Sequence, residues 1–252
     1  MVRGLEKFRD HFHKFTDQYA LIGGMACFLA MDEAGFDFRT TKDFDIVLWV
    51  EALDKDFVEV FWEFVQAGGY RQKEKSSGER QYYRFQQPEV EGFPLMLELF
   101  SREPDALSLA GGSHLTPIPT DDELSSLSAI LLSADYYFFI QNGTREQEGI
   151  SFIGPEHLIP LKAKAWLDLS ERKNQGESVD GRSVRKHKND IFRLYQILNP
   201  EFVGEVPDKV KMDLREFLAN VENEPTDLNS LGLAGHDSKT IFADIFWIYG
   251  LG

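Results

Sequence analysis

Hydrophobic positions in this chain change period several times, and each change marks an element. Leu5, Phe8, Phe12 and Phe15 recur at helical spacing, so residues 5–17 read as an amphipathic helix. Tyr19–Ile22 is a short apolar run suited to a strand, followed by a Gly23-Gly24 turn and an apolar helical segment from 25 to about 34. A polar stretch, Arg39-Thr40-Thr41-Lys42, leads to Asp43-Phe44-Asp45 at the head of a second apolar strand that runs to Val50. Phe57, Val60, Phe61 and Phe64 share one face of a helix over 54–67, which Gly68-Gly69 stops. Residues 70–75 and 80–87 read as short strands around Ser76-Ser77-Gly78, and 93–100 as a buried strand with one acid, Glu98, inside it.

Beyond this the pattern loosens. Residues 101–125, with Gly111-Gly112, Pro117, Pro119 and Asp121-Asp122-Glu123, read as an irregular connection. Residues 124–140 predict a short helix and then a strand over 136–140, paired with 150–152 across an Asn142-Gly143 turn. Pro155 opens a long helix, with Pro160 expected in its first turn. After a polar loop over 173–183, a helix over 183–194 presents Ile191 and Leu194 to a core, a face that Ile197 and Leu198 continue. One further helix is expected over 207–221, and an apolar helix or strand over 241–251. The fold class is α/β (α+β): a mixed sheet followed by a mainly helical C-terminal part. The expected division is a core over 1–108, a connecting segment with strands over 109–154, and a helical region over 155–252.

Composition narrows the setting. The 252 residues are 42% hydrophobic and 27% charged, as in a globular protein. No apolar run approaches the roughly 20 residues that span a bilayer. The first residues hold no apolar signal core, so a cytoplasmic protein without a membrane partner is expected. A single cysteine, Cys27, excludes an internal disulfide and falls on an apolar helix face as core filler. The net charge of −15 disfavours general nucleic-acid binding and suits a cationic small molecule.

Several residues carry possible chemistry. A Gly-Gly turn at a helix start lets backbone approach an anion, which the first-turn N–H groups and helix dipole favour. Asp43 and Asp45, two apart in a strand, point to one face roughly 6.6 Å apart along it. Such a carboxylate pair suits Mg²⁺, which bridges to substrate phosphates. Glu98, inside an apolar strand, is either an edge residue reaching water or a third ligand or base beside them. Lys162 and Lys164 lie on different faces of their helix, and Lys162 shares its face with Ala165 and Trp166. Lys186, Asp190 and Arg193 fall on one face at i, i+4, i+7, where the bland reading is an ion pair. His11 and His13, two apart on a helix, point different ways and make no metal pair.

The order Gly-Gly, helix, Arg39-x-Thr41-x-Asp43-x-Asp45, apolar strand resembles the nucleotidyltransferase superfamily that includes DNA polymerase beta, and within it the AbiEii-type toxins of bacterial toxin–antitoxin systems. The resemblance covers roughly 18–50, 93–100 and 155–198. It implies a nucleotidyltransferase core over 1–108 that transfers a nucleoside monophosphate from a nucleoside triphosphate to an acceptor hydroxyl with Mg²⁺. Asp43 and Asp45 would hold the metal, and Glu98 would complete the site and help deprotonate the acceptor. The amides of Gly23 and Gly24, with Arg39, Thr41, Lys162 and Lys186, would bind the nucleotide. Lys162 with Ala165 matches the family's K-x-x-A helix, with Lys164 in reserve. Lys186 and Asp190 match its K-D-x-x-D motif, in which the last Asp belongs to the active site. Three departures stand out: Met25 where many members carry Ser, Glu98 where Asp is usual, and His187 in place of the motif's first Asp. By resemblance the acceptor is a tRNA end or a protein hydroxyl, with an antitoxin protein as partner. The alternatives are adenylylation of a cationic, aminoglycoside-like molecule, and an inactive module that binds nucleotide or a partner.

Overall fold

Asp45 has a strand on either side, Ile22 as its partner on one and Glu98 on the other, and the sheet is built outward from that point. The computed structural model describes residues 2–74, 80–103, 115–117, 128–222 and 224–252. The expected turn at Ser76-Ser77-Gly78, and Gly111-Gly112, Pro119 and Asp121-Asp122-Glu123, lie outside the described residues. The central strands are β1 (Tyr19–Ile22) and β2 (Asp43–Leu48). On one side follow β3 (Arg71–Glu74), β4 (Arg80–Gln86) and β5 (Met96–Ser101). Later in the chain come β6 (Leu115–Pro117), β7 (Ser128–Leu131), β8 (Thr144–Gln147) and β9 (Ile150–Ile153). The main path is β3-β4-β5-β2-β1-β9-β8, with β7 paired to β5 and β6 to β7. β2 runs parallel to β5 and β1 parallel to β9, while β1 and β2 are antiparallel, so the sheet is mixed.

The helices are α1 (Leu5–Phe12), α2 (Gly23–Glu33), α3 (Lys55–Gly68), α4 (Ala134–Asn142), α5 (Pro155–Asn174), α6 (Gly181–Tyr195), α7 (Asp208–Val221) and α8 (Ser238–Ile248). This is an α/β architecture with a mixed sheet and a mainly helical C-terminal part. The chain forms two compact units: Met1–Leu29 with Arg39–Ile153, and Ala30–Phe38 with Gly154–Gly252. Strands β7, β8 and β9, from the segment expected as a connection, belong to the sheet of the first unit.

Aromatic packing in the first unit decides which way β2 faces. Phe8 and Phe12 of α1 meet Phe57, Phe61 and Phe64 of α3 in a buried cluster. Phe44 joins it, its ring 5.2 Å from that of Phe8. Each buried Phe contributes about 1.5–3 kcal/mol. Alternation along the strand then turns Asp43 and Asp45 to the opposite face. α3 starts as its sequence suggests: Asp54 accepts the Phe57 N–H at 2.8 Å. It ends at Gly69, whose φ of 62° is the left-handed C-cap conformation. α1 stops at Phe12, short of 17; a turn carries Phe15 onto Phe57 instead.

Residues 136–140 are helical, which corrects the strand expected there. Tyr136, Tyr137, Phe139 and Ile140 are buried at helical spacing, and Ser133 caps the helix by accepting the Tyr136 N–H. Asn142-Gly143 ends α4. The hairpin before β9 turns instead at Glu148-Gly149, both with positive φ, and joins β8 to β9.

In the second unit α5 begins at Pro155, so Pro160 sits past the first turn, inside the helix. Its missing N–H leaves the Glu156 carbonyl without the helical donor. The Tyr249 hydroxyl, buried and with its pKa pushed up by desolvation, donates to that carbonyl at 2.8 Å. Tyr249→Phe is therefore expected to destabilise the chain by about 1–3 kcal/mol. Urea unfolding checks this; an unchanged midpoint would show that water replaces the hydroxyl.

Candidate functional site

In the first unit, sheet register gathers the three predicted carboxylates on one face. Cα partners across β2 and β5 are Asp43 with Met96 and Asp45 with Glu98, and partners point the same way. β1 ends at Ile22, the partner of Asp45, so Gly23 turns away directly beside the Asp45 side chain. Gly23 has φ 65°, and a Cβ on it would collide with the Asp45 carboxylate. A Cβ on Gly24 would stand 2.8 Å from Thr41 Oγ1 and 3.6 Å from an Arg39 guanidinium nitrogen. The absent side chains at 23 and 24 thus leave room in which a carboxylate, a hydroxyl and a guanidinium meet the first turn of α2. Gly23, Gly24, Arg39, Thr41 and Asp45 come together here, with Asp43 one strand step away and exposed. Met25, fully buried, belongs to the core, so this turn offers its backbone rather than a hydroxyl.

Gly23→Ala should show how tight the site is. Positive φ and the collision act together, and a loss of at least about 1–2 kcal/mol is expected from the backbone conformation alone. A thermal melt in which Gly23→Ala matches the parent would mean that the turn can be rebuilt.

Glu98 has a partner that sequence reading missed. Arg84, its register partner on β4, donates both Nε and a terminal nitrogen to Glu98 Oε1, the Nε bond being 2.6 Å. The acid buried at 9% exposure is therefore neutralised from the neighbouring strand. Among the described residues no three His, Cys, Asp or Glu side chains are arranged to hold a metal ion. Asp43 and Asp45 supply hard oxygen donors of the kind Mg²⁺ takes, and one or two carboxylates suffice where substrate phosphates complete the shell.

Lys162, Asp190 and Lys186 belong to the second unit. Lys162 is buried at 3% exposure on α5, its Nζ 3.2 Å from Asp190 Oδ2 on α6. Asp190 is fully buried, and an Arg193 guanidinium nitrogen stands 3.7 Å from its Oδ1. Lys164 pairs instead with Asp168, at 2.8 Å one turn along its own helix. Lys186 is exposed on α6, while Lys188 is buried and bonded to Glu224 at 2.7 Å. The two motif matches, Lys162 and Asp190, are thus a buried ion pair, which their separate readings did not foresee.

No family model matches the chain, and no curated protein matches it. The crystal structure of an antigenic nucleotidyltransferase-like protein from Paracoccidioides brasiliensis is similar over 96% of this chain and 100% of that one, at 16% identity and a TM-score of 0.43. So slight a likeness adds nothing to the geometry above. No described helix is long and apolar enough to cross a membrane.

Proposed function

We propose that this chain is a nucleotidyltransferase that moves a nucleoside monophosphate from a triphosphate to an acceptor hydroxyl. The observation that carries the reading is the Gly23-Gly24 turn at the start of α2, with the Asp45 carboxylate against Gly23 and the Thr41 hydroxyl and Arg39 guanidinium against Gly24. Phosphate oxygens would take the first-turn N–H groups of α2, with the Arg39 guanidinium and Thr41 hydroxyl beside them. Asp43 and Asp45 would hold Mg²⁺, which when bound neutralises phosphate charge and aligns the triphosphate. Glu98, with Oε1 held by Arg84, would act on the acceptor hydroxyl through its other oxygen. Positioning and charge stabilisation would supply most of the rate. Roles for Lys162, Lys186 and Asp190 toward the triphosphate rest on the AbiEii-type resemblance, as does a tRNA or protein acceptor and an antitoxin partner.

The Arg84–Glu98 pair favours a second reading. Arg84 occupies Glu98 Oε1 with two donors, which takes that oxygen away from an acceptor hydroxyl, and this suits a module that binds nucleotide without turnover. Incubation with each α-labelled triphosphate and Mg²⁺, with total tRNA and the protein itself as acceptors, separates the two. Label on RNA or protein, absent with Asp45→Asn, supports the transferase. Binding without transfer supports the module, and neither binding nor transfer removes both.

A further inference from the structure

The second unit carries a cavity of about 640 Å³ that the transfer reading does not use. Its size is within the roughly 300–1,000 Å³ of small-molecule sites. Two aromatic side chains on its wall are turned to solvent: Phe36 is 42% exposed and Trp247 79%. Asp244 lies three residues before Trp247 on α8, so the two are neighbours on one helix face. Among the described lining residues Asp244 is the one carboxylate, and there is no lysine or arginine. The Tyr195 hydroxyl donates to Asp244 Oδ2 at 2.5 Å, which fixes the carboxylate at the wall instead of leaving it to swing into water.

These features select a ligand by exclusion. An anion would meet Asp244 and a chain of net charge −15. An uncharged apolar ligand would strip water from Asp244 and return no counter-charge. A cation gains both the carboxylate and the electron-rich face of an indole. An apolar body on that cation fits beside Leu233, which also lines the cavity. We propose that this cavity binds a small organic cation, an alkylated or quaternary ammonium, between Trp247 and Asp244. The site shares no residue with the proposed nucleotide site.

Calorimetric titration of the whole chain with choline, and with its uncharged carbon isostere 3,3-dimethylbutan-1-ol, tests the proposal. Choline is expected to saturate one site, with the isostere weaker by about tenfold or more. Trp247→Ala removes a mostly exposed side chain, and Asp244→Asn keeps an acceptor for Tyr195, so melts of both variants should match the parent. Each should weaken choline by about five- to tenfold. Failure of choline to saturate, equal binding of the isostere, or choline binding indifferent to both substitutions would each overturn the proposal.

Discussion

Asp45→Asn is expected to cut nucleotidyl transfer by about a hundred- to a thousandfold while leaving the fold in place. The size follows from removing a preorganised charge at the reacting phosphates, where single groups are worth about 3–4 kcal/mol. The fold survives because an amide has the shape of the carboxylate and occupies the same space against Gly23. Its melt should lie within about 0.5 kcal/mol of the parent. If transfer follows the resemblance, the loss appears in kcat more than in KM, since Gly23, Gly24 and Arg39 still hold the triphosphate. Full activity of Asp45→Asn under single-turnover conditions would sink the carboxylate model.

Lys162→Met is expected to act on stability first. It leaves Asp190, fully buried, without the cation 3.2 Å away, and breaking such a pair costs about 3–5 kcal/mol. Arg193 at 3.7 Å recovers part of this. The double variant Lys162→Met with Asp190→Leu removes both charges and should regain most of the loss, because buried pairs are often replaceable by apolar groups. Urea midpoints of the four species close the cycle. A stable double variant that still transfers nucleotide would confine Lys162 and Asp190 to structure. A stable but inactive one would return them to the chemistry.

Much of the first unit was legible because its local signals agree with its packing. Asp54 and Gly69 bound α3 as cap residues should, and Phe57, Phe61 and Phe64 face the core at the spacing that predicts the helix. The Gly-Gly turn and the Asp43–Asp45 pair could be placed from periodicity, since a helix start and a two-residue repeat are local properties. Residues 136–140 were misread because an aromatic run fits a strand as well as a buried helix. The signal that separates them was Ser133 at the N-cap, followed by Asp135 in the first turn. The partners of Glu98 and Lys162 were not legible. Arg84 reaches Glu98 only through the β4–β5 register, and Asp190 reaches Lys162 only through the packing of α5 on α6. Such pairings depend on contacts that no window of sequence contains.

The parallel pairing of β1 with β9 bears on the order in which the protein can assemble during synthesis. β1 gains its first neighbour early, when β2 has left the ribosome. Its other edge pairs Leu21 with Phe152, so it stays open until most of the chain has been made. An unpaired edge is a template for wrong association. Contacts so distant in sequence also close slowly. A nascent chain stalled before residue 150 should therefore be the form that chaperones hold and that aggregates when they are scarce.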